Sequence, residues 1–147
     1  MEDQNGYEQL KIENQLCFPL YACGRKIVSL YTPYLKPLGL TYTQYIVLLV
    51  LWEERSVQVK DLCRKLYLDS GTLTPVLKKM EEAGWLTRER YHEDERVVTV
   101  TVTEKGMELR EEVKDIPAKI GCCVPLPAED AKTLYRLLYQ VLEMCEG

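Results

Sequence analysis

The stretch from residue 69 to 84, DSGTLTPVLKKMEEAG, limits the fold more than any other part of the chain. Its apolar residues recur at spacings of three and four, which predicts a helix with one buried face; they are Leu73, Val76, Leu77 and Met80. Asp69 or Ser70 can cap the start of this helix, and Gly84 suits the left-handed position after its end. The opposite face carries small hydroxyl residues and two lysines, as in a helix that enters a DNA groove: Ser70, Thr72, Thr74, Lys78 and Lys79. An ordinary amphipathic helix would share the apolar spacing, so the flanking segments decide between the two interpretations.

Short elements on both sides of this helix predict a winged helix-turn-helix. Before it, residues 57–66 form a helical pattern that ends at a short break. After it, residues 85–90 and 97–102 are typical of two strands around a polar tip at residues 91–96, and Val alternates with Thr in the second strand. A hairpin in this position is a wing, and its arginines would reach the DNA backbone or minor groove: Arg88, Arg90 and Arg96. We therefore assign residues 56–102 to a DNA-binding lobe.

The region before this lobe predicts two helices. The first covers residues 8–31, and Pro19 is expected to kink it. A turn-rich segment that contains Pro33 then breaks the pattern. The second helix can be capped by Thr41 or Thr43. It is apolar on nearly all sides, so we expect it to form the buried centre of the domain.

The region after the lobe predicts two more helices. Thr103 can cap a helix that runs toward Asp115, and the GCCVPLP segment at residues 121–127 is interpreted as a break. The last helix follows Pro127. It carries a continuous apolar stripe made of Leu134, Leu137, Leu138, Val141, Leu142 and Cys145. We expect this stripe to pack on the first helix or on a second subunit, because paired DNA half-sites need a two-fold symmetric protein.

The composition fits one globular domain that is mainly α-helical with a small β-wing. The 147 residues are 46% hydrophobic, and no apolar run is long enough to span a bilayer. The predicted fold is a single winged helix-turn-helix domain over residues 1–147, with residues 1–55 and 103–147 as the helical region for sensing and dimerisation. The polar N-terminus is not typical of a signal or transit peptide, so the expected location is cytoplasmic. The net charge of −4 argues weakly against nucleic-acid binding, but residues 60–96 hold eight basic and eight acidic residues, so the acidic excess lies outside them.

Six cysteines and one histidine restrict the site chemistry. No two cysteines form a CxxC pair, and His92 lies in the expected wing tip, so no metal or cofactor site is predicted. Three cysteines fall on apolar stripes and are expected to be core or interface residues: Cys23, Cys63 and Cys145. Cys122 and Cys123 lie in the predicted break, where a thiol can be accessible, and Cys17 lies in the predicted first helix.

Residues 69–90 followed by DERVVTVTVTEKG resemble the MarR family of winged-helix repressors. In the family pattern, an Asp that matches Asp94 positions an Arg that matches Arg96 for the minor groove. Within the family, LCFPLYA around Cys17, LTYTQYIVLLVLWE and LYLDSGTLTP look most like the organic-hydroperoxide branch, the OhrR-type regulators. The likeness extends from about residue 16 to the C-terminal helix.

The resemblance implies that Cys17 is a peroxide sensor and that Tyr31 and Tyr42 donate hydrogen bonds to its sulfur. Such bonds favour the thiolate, which is the form that attacks a peroxide. The alternative is that Cys17 is a core cysteine with tyrosines packed nearby. Some members of the branch use a second, resolving cysteine from the partner subunit, and Cys122 or Cys123 occupies a comparable region. We hypothesise a bridge between Cys17 and Cys122 across subunits.

We therefore expect a homodimeric repressor, not an enzyme, that binds a pseudo-palindromic double-stranded DNA operator. An organic hydroperoxide would oxidise Cys17 and release the operator. Two alternatives remain at this point. One is a repressor of the same family that is gated by a small phenolic ligand and needs no thiol. The other is a thiol peroxidase, which would need neither a recognition helix nor a wing.

Overall fold

The computed structural model describes residues 6–146 and divides the chain into two compact units, Met1–Ile116 and Pro117–Gly147. In the first unit, the helices are α1 (Cys17–Leu35), α2 (Tyr42–Glu54), α3 (Val59–Leu66), α4 (Ser70–Glu82) and α5 (Glu104–Val113). Its strands are β1 (Ser56–Gln58), β2 (Leu86–Tyr91) and β3 (Asp94–Val102). Helix α6 (Ile116–Cys123) crosses the division, and α7 (Ala128–Cys145) lies in the second unit. Within residues 6–146, no helix is both long enough and apolar enough to cross a membrane.

Helix α2 forms the centre of the first unit, as its sequence predicts. Thr41 caps it in a capping box: its hydroxyl accepts a hydrogen bond from the Gln44 backbone N–H, and its own N–H donates to the Gln44 side chain. The helix contributes Tyr45, Val47, Leu48, Leu51 and Trp52 to the core. Leu62 of α3, three residues of α4 and Val100 of β3 are buried as well; those of α4 are Leu73, Leu77 and Met80.

The sheet is antiparallel in the order β1-β3-β2, so β2 is an edge strand. Val57 pairs with Val100, and Arg88 also pairs with Val100 from the other side. Residues 57 and 58 were expected to begin the third helix, but they belong to β1, and α3 begins at Val59. The β-branched Val57 is buried against the sheet, which a helical reading of this short segment did not predict. The second arm of the wing also begins earlier than expected, at Asp94, so the tip is narrower.

The prediction for α1 was wrong about both of its prolines. Two 3-10 turns, Glu8–Leu10 and Ile12–Asn14, precede the helix, which begins at Cys17. Pro19 therefore lies in the first turn, where its missing N–H removes no helical hydrogen bond, and it does not kink the helix. Pro33 lies inside the helix, which continues to Leu35.

The GCCVPLP segment is only partly a break. Gly121, Cys122 and Cys123 belong to α6, and the chain leaves the helix at Val124. Pro127 then precedes α7, as predicted. The expected apolar stripe of α7 is exposed in the single chain, with 36–45% of each of its large side chains accessible; these are Leu134, Leu137, Leu138, Val141 and Leu142.

Candidate nucleic-acid interface and thiol site

Helix α4 is held at both ends, and its polar face is exposed. The Asp69 carboxylate accepts a hydrogen bond of 2.7 Å from the Thr72 backbone N–H, and bonds from Thr72 lower the pKa of Asp69. At the other end, Gly84 has a φ of 83°, and the N–H groups of Gly84 and Trp85 donate to the carbonyls of Glu81 and Met80. This is a Schellman C-cap. The predicted DNA-reading residues of α4 are all exposed: Ser70, Thr72, Thr74, Lys78 and Lys79.

Arg96 is held at the wing by Asp94, as the family pattern implies. The Arg96 Nε lies 3.0 Å from Asp94 Oδ1, and its Nη2 lies 3.1 Å from Oδ2. The Arg96 backbone N–H also donates to this carboxylate. These bonds lower the pKa of Asp94, so this carboxylate stays ionised at neutral pH. The Arg96 side chain is 90% exposed, which leaves its outer edge available to a phosphate or a groove.

The other two wing arginines are held by the protein itself. Arg88 donates three hydrogen bonds to the Glu81 carboxylate: its backbone N–H lies 2.8 Å from Oε2, and its Nε and Nη2 lie 3.3 and 3.2 Å from Oε1. Arg90 donates from Nη1 to the Glu95 carbonyl at 3.0 Å, across the hairpin. Arg88 and Arg90 therefore stiffen the wing, whichever contacts they make beyond it.

A cleft of about 620 Å³ lies between α3, α4 and the wing, and we call it the basic cleft. Its polar lining consists of Lys60, Arg88, Arg90, Arg96, Ser70, Thr74 and Glu81. Four cations and one carboxylate give it a positive charge, although the chain as a whole is acidic. Lys60 and Glu81 were not predicted as site residues. Glu81 and Arg88 are seven positions apart and lie in different elements, α4 and β2. Neither the helical nor the strand period therefore pairs them.

The C-terminal end of α4 is bound to the first turn of α5. The Thr103 hydroxyl donates to the Gly84 carbonyl at 2.6 Å, and the Lys105 ammonium donates to the Ala83 carbonyl at 2.8 Å. The Trp85 carbonyl accepts the Thr103 backbone N–H at 3.0 Å. Gly106 lies so close to this carbonyl that a Cβ there would be 2.2 Å from its oxygen. The start of α5 therefore fixes where α4 ends.

Cys17 and the two tyrosines expected to bind it are far apart within one chain. Cys17 is exposed at the start of α1, and Tyr31 follows 14 residues later in the same helix. At 1.5 Å per residue this is about 21 Å. Tyr42 lies with Tyr31, because their ring centroids are 4.9 Å apart, and Tyr45 joins them at 5.6 Å from Tyr31. The expected hydrogen bonds to Cys17 therefore do not form within a chain.

Two tyrosines of this cluster, Tyr42 and Tyr45, have hydroxyl groups with a raised pKa. Burial raises the pKa of Tyr42, and the nearby Tyr31 raises it further by a smaller amount. The same two effects, together with Tyr42, raise the pKa of Tyr45. At neutral pH these phenols are therefore hydrogen-bond donors, as an activating group for a thiolate must be.

The remaining cysteines differ in accessibility. Cys122 and Cys123 are exposed in the last turn of α6. Cys23 and Cys145 are exposed as well, so neither is a core residue. Cys63 is half-buried, and burial, with Asp69 nearby, raises the pKa of its thiol. His92 is exposed in the turn of the wing, and residues 6–146 contain no cluster of three or more residues suited to a metal ion.

Comparison with known proteins identifies the family. The family model described as "Transcriptional regulator SarA/Rot" matches residues 29–113, more than half of the chain. The chain belongs to this family. Its match contains α2, the helix-turn-helix, the wing and α5 in one continuous span. The matched residues therefore include those that line the basic cleft and those that bond the end of α4 to α5.

The chain is also similar to individual transcriptional regulators of known sequence or structure. It is 48% identical over 140 residues to the organic hydroperoxide resistance transcriptional regulator of Bacillus subtilis, with 95% of each chain covered. Reduced AbfR bound to DNA, from Staphylococcus epidermidis, is 39% identical with a TM-score of 0.77, covering 96% and 99% of the two chains. A MarR mutant from E. coli in complex with operator DNA is 29% identical with a TM-score of 0.72, covering 86% and 93%.

These relatives confirm the predicted winged-helix fold and the resemblance to the organic-hydroperoxide branch of MarR-type regulators. The prediction of a transcriptional regulator is confirmed by the same relatives, which are transcriptional regulators themselves.

Proposed function

We propose that this regulator is a cytoplasmic homodimeric repressor that releases a pseudo-palindromic operator when an organic hydroperoxide oxidises Cys17. The observation that carries the DNA-binding half is the Asp94–Arg96 pair, which projects an ordered guanidinium from the wing beside the exposed polar face of α4. Arg96 would enter the minor groove or contact a phosphate, and the N-terminal half of α4 would read the major groove.

Dimerisation would use the helices outside the winged helix-turn-helix, residues 1–55 and 103–147. Large apolar side chains are exposed on α1 as well as on α7; those on α1 include Phe18, Tyr21, Ile27 and Val28. Exposed apolar surface of this extent favours association. A two-fold dimer would also present two copies of α4 to two half-sites.

The sensing half of the proposal requires two chains. Cys17 and the tyrosine cluster are about 21 Å apart along α1. A second copy that runs antiparallel to α1 would place the Cys17 of one subunit beside Tyr31 and Tyr42 of the other. The phenol hydroxyls would then donate hydrogen bonds to the thiolate, and burial, which raises the pKa of Tyr42, keeps that hydroxyl a donor.

The chemistry at Cys17 would occur in two balanced steps. The thiolate attacks the terminal peroxide oxygen and the O–O bond breaks, which gives a sulfenic acid and an alkoxide that takes a proton from water and leaves as the alcohol; the hydroperoxide is reduced as the sulfur is oxidised. A second thiol then condenses with the sulfenic acid, forming a disulfide and releasing water. Cys122 is our candidate for this thiol, supplied by the partner subunit, with Cys123 as the second choice.

Two structures of AbfR support the disulfide as the releasing form. One is disulfide-formed AbfR, 37% identical to this chain with a TM-score of 0.67 and 96% of both chains covered. The other is overoxidised AbfR bound to DNA, 40% identical with a TM-score of 0.77. In that relative, overoxidation is compatible with bound DNA. We therefore expect a disulfide, rather than a sulfinic or sulfonic acid, to release the operator here.

A DNA-binding titration with and without cumene hydroperoxide tests the proposal. A duplex enriched by the reduced protein from a random-sequence library serves as the probe. We expect oxidation to weaken binding by roughly 5- to 150-fold, the usual range for coupling between two sites, and Cys17→Ser to remove this response. A Cys17→Ser protein that still releases DNA on addition of a phenolic compound would instead be gated by a ligand.

A further inference from the structure

Glu81 is an acidic residue in a cleft that we assign to DNA. Its carboxylate is about one-third exposed, at 37%, and it lies among the cations of the basic cleft. A negative charge at this place opposes a phosphate backbone, so it weakens binding unless it contributes something else. The structure shows what else it does, because all three of its hydrogen bonds go to Arg88.

One of these bonds is to the backbone and not to the side chain. Since β2 is the edge strand and pairs only with β3, the N–H groups on its outer side have no partner in the sheet. Glu81 accepts the outward N–H of Arg88 at 2.8 Å, while the guanidinium binds the other carboxylate oxygen. The last turn of α4 is thereby attached to the edge of the wing at a point beyond the connecting residues 83–85.

We propose that Glu81 and Arg88 are positioning residues that set the angle between the recognition helix and the wing, and thereby determine DNA specificity. The proposal rests on the DNA-binding function above. It reassigns Arg88, which the sequence suggested as a DNA contact, because its side chain is only 26% exposed and two of its guanidinium nitrogens, Nε and Nη2, bond Glu81.

The geometry makes this angle important. From Arg88 to the turn after Tyr91 the strand is about 10 Å long, at roughly 3.3 Å per residue. A rotation of about 10° at Arg88 would therefore move the wing tip by roughly 2 Å and Arg96 beside it by less, which is large compared with the narrow range of hydrogen-bond distances. Loss of the attachment would reduce binding to the correct sequence and leave general attraction to DNA intact.

The test compares Glu81→Ala with Glu82→Ala, a matched removal of the neighbouring exposed carboxylate. Affinities are measured for the duplex that wild-type protein enriches from a random-sequence library and for a scrambled duplex of equal length, over a range of salt concentrations. If charge alone mattered, both variants would bind both duplexes more tightly. We expect Glu81→Ala to lose about tenfold in affinity for the enriched duplex, the usual effect of losing a charged hydrogen bond. Its binding to the scrambled duplex should not weaken.

A second variant separates positioning from phosphate contact. Arg88→Lys keeps the charge but loses the guanidinium fork, so a positioning role predicts a weaker preference for the enriched duplex with an unchanged salt slope. Thermal unfolding of each variant is recorded alongside. Enriched-duplex binding by Glu81→Ala that is as tight as wild type, or tighter, would overturn the inference while the DNA-binding function stands. A wild-type protein that enriches no duplex would overturn that function itself, and with it this inference.

Discussion

Replacing Gly106 by Ala should destabilise the protein although it adds only one methyl group. The added Cβ would lie 2.2 Å from the Trp85 carbonyl oxygen and 2.8 Å from Val102 Cγ2, and a backbone carbonyl that accepts the Thr103 N–H moves less easily than a side chain. The indole N–H of Trp52 also donates to the Gly106 carbonyl at 2.9 Å in a buried site.

The contributions to this change have opposite signs. Overpacking costs about 1–3 kcal/mol, and strain or loss of the buried Trp52 bond adds about 1–3 kcal/mol. The better helix propensity of Ala offsets about 1 kcal/mol. We expect a net loss of about 1–5 kcal/mol, which for a chain of this length lowers the melting temperature by roughly 2–20 °C.

Thermal unfolding followed by circular dichroism at one fixed protein concentration measures this loss. Gly121→Ala is the control, because Gly121 also lies inside a helix, α6, and a Cβ there meets nothing within 4 Å. We expect the control to melt at or slightly above the wild-type temperature. A Gly106→Ala protein that melts with the control would show that α4 and α5 are not packed together as described.

Three further outcomes test the interface and the thiol site. Arg96→Ala should lose a DNA contact and so reduce both affinity for the enriched duplex and its salt dependence, by about one unit of log–log slope for one phosphate; a footprint like that of wild type would contradict the wing assignment. Tyr42→Phe should slow oxidation of Cys17 by cumene hydroperoxide and leave DNA affinity of the reduced protein unchanged, as followed by mass spectrometry; equal oxidation rates would exclude activation by this phenol. On non-reducing electrophoresis, one equivalent of hydroperoxide should give a covalent dimer that Cys122→Ser loses. A dimer lost only in Cys123→Ser would move the bridge to that residue, and a wild type that stays monomeric would mean that no bridge forms.

The sequence predicts best where local chemistry and packing agree. The α4 helix combines a capping carboxylate at Asp69, apolar spacing of three and four, and Gly84 in the position that needs a positive φ. Each of these features favours the same helix independently, and both caps are present in the structure.

Prediction fails where the decisive partner is distant in sequence. Residues 56–58 become a strand because β3, more than 40 residues away, offers a pairing edge. Pro19 was misjudged because its effect depends on where α1 begins: the helix was expected from residue 8 but begins at Cys17, which places Pro19 in the first turn. The Glu81–Arg88 attachment crosses from a helix to a sheet edge, so neither the 3.6-residue nor the 2-residue period reveals it.

The length of α1 between Cys17 and Tyr31 has a genetic consequence. If each sensor combines the thiol of one chain with the phenols of another, a Cys17→Ser chain and a Tyr42→Phe chain each build only defective sensors with their own kind. In a mixed dimer, one sensor collects both lesions, and the other is assembled from the intact thiol of one chain and the intact phenols of the other. A Cys17→Ser allele and a Tyr42→Phe allele should therefore complement one another when co-expressed. Two alleles that both remove the thiol, or two that both alter the phenols, should not.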